Sequence, residues 1–486
     1  MTDEQRKVSE IVFDATIYPR KSVSQKTVDT YTDALELGAT FPPIEVQRVT
    51  NYKEPDKEAL VLLDGAHRLE AYRKSKVVEV EVIEWRPDEV LDFETSRLDL
   101  LLISARRNKE HGDRLGETDK KQVARIVAEA DPELKHTEQE IADDLGISQQ
   151  RVNEWTSDIR TRQRASRESV IIRLARLGWT QAEIAGLVGL DRSVVSRIVQ
   201  ITEIGNLHNL LAQGRDMTYI ADLHSMDLPL AWALRIDGKD DHERFKELNW
   251  GLRTWDVWSF NDCDPRFGED WPGRIPAQLV AHTLYYFTKP GDLVFDPMAG
   301  GGVVSDTCLA FGRKCRSFDL AVRDRRPEIQ HHEWQLDKMA WPELDGYGKK
   351  PHLIFFDPPY FTKKKAEYQD KAQGNGTPIS DLDRADYLAF FAQFFALARQ
   401  NIRAGGRIAF LNADWRDFQS TAAMDENPIA SITMLDYANL LKAAGWEITH
   451  IIDCPLSSER FTGHMVASMQ EKRELGTIRR TLLIAR

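Results

Sequence analysis

The sequence is poor in cysteine, has no long apolar run and carries no excess of positive charge. Cys263, Cys308, Cys315 and Cys454 show no CxxC or CxxH spacing. This excludes a disulfide framework and a structural zinc site, and it fits a reducing cytoplasm. No run of about 18 apolar residues occurs, and the first residues, MTDEQRKVSE, are polar and charged. Neither a membrane span nor a secretory signal is expected. The net charge is -12. That excludes a wholly basic nucleic-acid coat but not DNA binding, because only the contacting face must be positive. With 486 residues, 42% of them hydrophobic, the chain suits roughly two to four domains with their own cores.

One segment departs from the acidic mean. Between 151 and 176 stand Arg151, Arg160, Arg162, Arg164, Arg167, Arg173 and Arg176, against Glu154, Asp158 and Glu168. By itself this is a solvated helical face or a phosphate-contacting one. An internal repeat flanks it. TEQEIADDLGISQQRVNEW begins at Thr137 and TQAEIAGLVGLDRSVVSRIV at Thr180. Ala142 and Ala185 are small where two helices cross. Gly146 and Gly189 suit a turn of positive φ. Ile147 with Val152, and Leu190 with Val195, pin the second helix of each copy, and Ser148 and Asp191 are its expected caps. Both copies resemble the helix-turn-helix of DNA-binding proteins. The resemblance implies recognition helices near 148–155 and 191–199, with Gln149, Gln150, Asn153, Arg192, Ser193 and Arg197 facing the major groove of double-stranded DNA.

Upstream, LVLLDGAHRLEAYRKS reads as a strand, a turn at Asp64-Gly65 and a helix opening at His67-Arg68. Arg68 beside a glycine turn at a helix start is a candidate anion site. The stretch Asp64-Gly65-x-His67-Arg68-x-x-Ala71, followed by a box through Asn108, His111, Gly112 and Lys120, resembles the ParB/sulfiredoxin-like domain. The resemblance leaves two readings open: a DNA-positioning or oligomerising module, and nucleotide or phosphate binding at Asp64, Gly65, His67 and Arg68. Ala66 stands where the sulfiredoxin cysteine falls, so thiol chemistry is not expected.

The C-terminal half opens with a short strand at Leu293 to Phe295, the loop Asp296-Pro297-Met298-Ala299-Gly300-Gly301-Gly302, a helix, and a second strand ending at Asp319. This is a βαβ opening of a parallel sheet. A glycine loop with an acid after the second strand serves NAD, FAD and S-adenosylmethionine (SAM) alike. Asp296-Pro297 ahead of the glycines argues against a dinucleotide. The loop resembles the DPFxGxGT element of DNA amino-methyltransferases, with Met298 in place of Phe and Val303 in place of Thr. Pro276 and Gln278 resemble the segment that closes over the methionine end of SAM. HHEWQLDKMAWPEL has the form of a third strand ending at Asp337, near the adenine. Further on, LIFFDPPYF ends a core strand on Asp357-Pro358-Pro359-Tyr360. This resembles the DPPY motif of N6-adenine and N4-cytosine DNA methyltransferases. It implies that Asp357 and the Pro358 carbonyl hold the two hydrogens of an exocyclic amino group, the prolines fix the turn, and Tyr360 stacks on a flipped base. Asp at the first position points to adenine N6.

The expected fold class is therefore α/β. A C-terminal Rossmann-like SAM methyltransferase domain (263–486) follows a small α+β ParB-like domain (8–125), an all-α duplicated helix-turn-helix region (126–205) and a helical Trp-rich connector (206–262). The expected function is methylation of a base amino group in duplex DNA. A ParB-like regulator with a SAM-sensing, N4-cytosine or RNA-acting methylase domain is the alternative. A homodimer is left open. The loop 361–381, with Lys363, Lys364 and Lys365, and the segment 460–475 are further candidates for substrate contact. The domain combination suits a bacterial or phage-infected cell, and no nuclease motif is present.

Overall fold

The computed structural model describes residues 4–486 except 21, 111–114, 132–134, 201–212, 214, 224–226, 261, 322–325, 345–349, 362–378, 417–430, 457–461, 473–475 and 477. His111, Gly112, the three lysines of the 361–381 loop and parts of 206–262 and 460–475 thus lie outside the described residues. The chain forms two compact units, Met1–Arg164 and Ala165–Arg486.

The first unit holds a sheet of β1 (Glu4–Lys7), β2 (Ile11–Val12), β3 (Ile44–Thr50), β4 (Ala59–Asp64), β5 (Glu79–Glu84) and β6 (Leu91–Asp92). The order is β1-β5-β3-β4-β2, with β6 also on β3. Alternation sets the faces: in β5, Glu79 and Glu81 point outward and Val80 and Val82 inward. Helices α1 (Gln25–Glu36) and α2 (Ala66–Lys74) pack beside each other, and Val46, Leu62, Leu69 and Val82 share a core. A second core joins α3 (Phe93–Glu110), α4 (Glu117–Ala130), α5 (Glu138–Leu145) and the start of α6 (Gln149–Arg176) through Leu101, Val127, Ile141 and Trp155.

The sequence repeat is real as local structure. Thr137 and Glu140 form a capping box on α5, and Thr180 and Glu183 form the same box on α7 (Gln181–Val188). Gly146 and Gly189 close the helices with φ of 61° and 65°. Ser148 accepts from the Arg151 amide at 3.3 Å. Asp191, the other expected cap, makes no side-chain bond at the start of α8 (Arg192–Val199). The repeat does not form one region, however. Its first copy belongs to the core of the first unit, whereas Ile184, Val195 and Ile198 belong to the largest core of the second. The boundary falls inside α6, so the expected 126–205 domain is divided.

The second unit is built on a seven-stranded sheet of β7 (Leu293–Asp296), β8 (Lys314–Asp319), β9 (Ile329–His331), β10 (Leu353–Phe356), β11 (Arg407–Ala413), β14 (Ile448–Asp453) and β15 (Arg480–Ala485); a separate short ribbon pairs β12 (Trp415–Arg416) with β13 (Ser431–Ile432). The order is β14-β15-β11-β10-β7-β8-β9. Its first five strands run parallel in the 3-2-1-4-5 order of a Rossmann-like sheet. The departure comes next: β15 enters antiparallel between β11 and β14. All four residues of β10 are buried, as expected of a strand covered on both faces. The connector residues Trp250 and Trp258 lie in the same core as the sheet, and Trp255 is exposed.

The second copy of the repeat is fastened to this sheet by charge. Arg173, at the end of α6, donates to Asp227 at 3.0 Å, to Glu328 at 2.8 Å and to Asp306. Arg326 donates to Asp306 and Glu328, each at 2.8 Å. Burial works against the Arg173 charge, but Glu328, Asp227 and Asp306 outweigh it and raise its pKa. Arg316 of β8 reaches Glu183 of α7 at 3.1 Å, and the Cys315 amide donates to the Leu177 carbonyl at 3.0 Å. Replacing Arg173 with Met leaves two buried carboxylates with one cation. Arg173→Met is expected to cost about 3–5 kcal/mol of unfolding free energy, measured by urea denaturation.

Candidate active site

A cavity of about 470 Å³ opens at the C-terminal ends of β7, β8 and β10. Such crevices are where open α/β sheets hold their ligands. The loop after β7 forms its floor. Gly302 has φ of 80° and starts the helix Val303–Ala310. A Cβ there would collide with the Arg326 guanidinium, and one on Gly301 would meet the Glu269 carbonyl at 2.6 Å. Both positions therefore require glycine. Asp319 braces the loop: its Oδ2 accepts from the Gly300 amide at 2.8 Å and its Oδ1 from the Ala321 amide at 2.9 Å. The Trp334 indole donates to the Pro297 carbonyl at 2.9 Å.

The turn after β10 forms one wall. Tyr360 donates its hydroxyl to Asp357 Oδ1 at 3.1 Å. Tyr387, wholly buried on the helix Arg384–Asn401, donates to the Pro359 carbonyl at 2.8 Å. The second carbonyl of the turn is thus committed to the protein. Arg480, the first residue of β15, also lines the cavity. Burial pushes the Asp357 carboxyl up to about 7, against the pull of the Arg480 charge and the Tyr360 bond. An acid in this state changes charge near neutrality.

Asp296 is 1% exposed yet lines the cavity. Its Oδ2 has no hydrogen-bond partner among the described residues. Burial, with Cys315, Asp319 and Asp357 nearby, holds its pKa well above the usual carboxylate range. Four acids, Asp296, Asp319, Glu333 and Asp357, thus line the cavity with two arginines, Arg274 and Arg480.

Most of the expected site residues converge here. Asp296, Pro297, Met298, Ala299, Gly300, Asp319 and Asp357 to Tyr360 all line the cavity. Gly302 supports it from below. Three expectations are corrected. Pro276 and Gln278 do not line it; they start the helix Ala277–Phe287, and the covering residues are Trp271 to Ile275. The third strand ends at His331, so Asp337 falls on the exposed 3-10 turn Leu336–Lys338. Glu333, four residues earlier, occupies the wall instead. Sequence reasoning missed Trp271, Glu333, Tyr387 and Arg480; for Arg480 the only signal is an arginine opening an otherwise apolar strand.

Of the positions expected to face DNA, Gln149, Gln150, Arg192, Ser193 and Arg197 are exposed. Asn153 is exposed but donates to Glu138 at 3.1 Å. In the first unit, Asp64, Gly65 and the following helix adopt the expected turn, with Gly65 at φ of 99°. Arg68 is spent on the protein: it bonds Asp64 at 2.6 Å and the carbonyls of Pro42 and Pro43 at 2.7 and 2.8 Å. His67 Nε2 accepts from the Ser24 amide at 3.0 Å, and Asn108 donates to the Ser104 carbonyl. The terminal guanidinium nitrogens of Arg68 are thus bonded within the turn.

The raised pKa of Asp296 makes its ionisation unfavourable to the fold. Folded protein holds that proton more tightly than unfolded chain, so this contribution to stability falls as pH rises above 3.8. Asp296→Asn is therefore expected to raise the melting temperature of the ligand-free protein at neutral pH, with a gain that shrinks as pH falls toward 4, as read by calorimetry.

No protein-family model matches the sequence, and no curated protein matches it significantly. Among solved structures, the chain is similar to a C-terminally truncated chromosome-partitioning protein ParB from Caulobacter crescentus complexed to the centromeric parS site, at 15% identity over 46% of this chain and 98% of that one, with a TM-score of 0.22. It is also similar to an S-adenosylmethionine-dependent methyltransferase from Mesorhizobium loti, at 13% identity over 44% of this chain and 99% of that one, TM-score 0.26. A third likeness is to the glycopeptide N-methyltransferase MtfA complexed with SAM, at 12% identity over 50% and 96%, TM-score 0.25. Likenesses this remote carry no statement about activity.

Proposed function

We propose that the chain is a SAM-dependent methyltransferase acting on the exocyclic amino group of a base in duplex DNA, with adenine N6 as the preferred target. The observation that carries this reading is the convergence of the Asp357-Pro358-Pro359-Tyr360 turn and the glycine loop on one acidic cavity. The antiparallel β15 supports it too, since a dinucleotide-binding sheet continues with a parallel sixth strand.

The residues present fit the cofactor. SAM supplies an electrophilic methyl on a sulfonium, together with a cationic ammonium. Asp296, whose Oδ2 lacks a partner, suits a cationic donor. Asp319, already bracing Gly300, keeps acceptor capacity for ribose hydroxyls. Trp271 and Trp334 offer apolar walls.

The acceptor side follows from the turn. An amino group conjugated to a base ring is a poor nucleophile, because its lone pair is delocalised. Asp357 takes one of its hydrogens. The Pro358 carbonyl takes the other, while Tyr387 keeps the Pro359 carbonyl occupied. The two acceptors turn the lone pair out of the ring plane. Tyr360 stacks on a base lifted from the duplex. A carboxyl that ionises near pH 7 both accepts the bond and takes up the proton released from the amino nitrogen. No covalent enzyme intermediate is required; positioning and electrostatics carry the reaction. Duplex DNA as partner rests on the two helix-turn-helix units with exposed polar recognition faces.

Methyl transfer from radiolabelled SAM to unmethylated duplex DNA, followed by nucleoside mass spectrometry, tests the reading. N6-methyladenine is expected from the native chain, and Asp357→Ala should abolish it while leaving SAM binding in place. N4-methylcytosine would correct the base, and label in RNA alone would overturn the DNA assignment. The paired change Arg192→Ala and Arg197→Ala removes two DNA contacts worth about 1–3 kcal/mol each. It should raise KM for duplex DNA by about tenfold or more and leave SAM affinity unchanged.

A further inference from the structure

Arg480 belongs to none of the motifs that suggest the chemistry. It pairs with Ala413 at the end of the β11–β15 ladder and is only 5% exposed. The other five residues of β15 are buried, and all but Thr481 are apolar, so packing alone would favour an apolar residue here. Desolvating a guanidinium is costly unless it is paired. Its Nε donates to the Cys454 carbonyl at 3.3 Å. It also interacts with Tyr360, by hydrogen bond, and with the charges of Asp357 and, when ionised, Cys454.

The groups that face Asp357 come from four elements. Tyr360 lies on its own turn, Arg480 on β15, Cys454 just after β14 and Asp296 at the end of β7. Of these, Arg480 alone is cationic. Asp296 and Cys454, when ionised, oppose the Asp357 charge.

We propose that Arg480 is a positioning residue for the acceptor half of the site, holding Asp357 charged and Tyr360 in place so that the carboxylate accepts the hydrogen of the incoming amino group. This rests on the reading of Asp357 as that acceptor. The consequence is specific. Without the cation, burial acts unopposed by charge, and Asp357 keeps its proton at neutral pH. A protonated carboxyl still accepts through its carbonyl oxygen, but it cannot take up the proton that the amino nitrogen releases. Activity then requires a more alkaline medium.

The test compares the native chain with Arg480→Lys and Arg480→Met in two measurements. The first is a carbon-13 NMR titration of labelled aspartates, with Asp357 assigned by its loss in Asp357→Asn. The second is the pH dependence of kcat on unmethylated duplex DNA. The native carboxyl should titrate at about 7. Arg480→Met should move both the titration and the rise in kcat upward by about 1–3 pH units, the range for losing an opposite charge. Arg480→Lys, which keeps a charge, should restore most of the native position, and it covers the case in which the Met variant fails to fold. A folded Arg480→Met protein with an unmoved titration would overturn the proposal. So would a kcat profile that drops in height without shifting, because that marks a purely structural arginine. A native chain that transfers no methyl to any nucleic acid would instead remove the acceptor reading, while the NMR comparison would still report whether Arg480 governs Asp357.

Discussion

Charge compensation in a dry interior is the constraint on which the second unit depends. Two arginines and two carboxylates, Arg173, Arg326, Asp306 and Glu328, meet beneath the glycine loop with nearly no solvent contact. None is tolerable there alone. Together they join the end of α6, the connector through Asp227, the helix that starts at Gly302 and the approach to β9. Asp306 also takes the Gly268 amide at 2.6 Å, which draws the covering segment down onto the loop. The end of α6, the connector and the glycine loop are thus fixed by one cluster whose members require each other. The hydrophobic core supplies most of the driving force, but it is non-directional. The ion pairs supply register.

The cavity above uses the same currency differently. Below the loop, acids and bases are balanced. In the cavity, Asp296, Asp319, Glu333 and Asp357 outnumber Arg274 and Arg480. Burying these acids costs folding energy, visible in the raised pKa values of Asp296 and Asp357. In the first unit, the terminal nitrogens of Arg68 bond Asp64, Pro42 and Pro43.

Local signals in the sequence were enough for the parts that are contiguous. The glycine loop, the acid after β8 and the Asp357 turn are each strand-to-loop transitions, written within a few residues and placed by the parallel sheet in one crevice. The repeat of paired helices was legible for the same reason: its capping boxes and left-handed glycines are local. What the sequence could not convey was which distant residues meet them. Tyr387 reaches Pro359 from a helix, and Arg480 reaches Asp357 from an antiparallel strand, through pairings with no sequence periodicity. Asp337 was misplaced because the apolar pattern of Trp334, Leu336 and Met339 reads like a strand. In the fold these residues pack under the helix Arg384–Asn401, after β9 has ended. The division of the repeat between two units was hidden too, since both copies carry the same helical signature and only their partners differ.

The place of β15 bears on how the chain reaches its native state. It is the last described strand, yet it lies inside the sheet, flanked by β11 and β14. Until it inserts, both neighbours expose unpaired backbone ladders, a template for association with other chains. Its pairing spans long stretches of sequence, and such contacts form slowly. Between synthesis of β11 and docking of β15, the nascent protein is therefore at its most aggregation-prone, and holding chaperones would act in that interval.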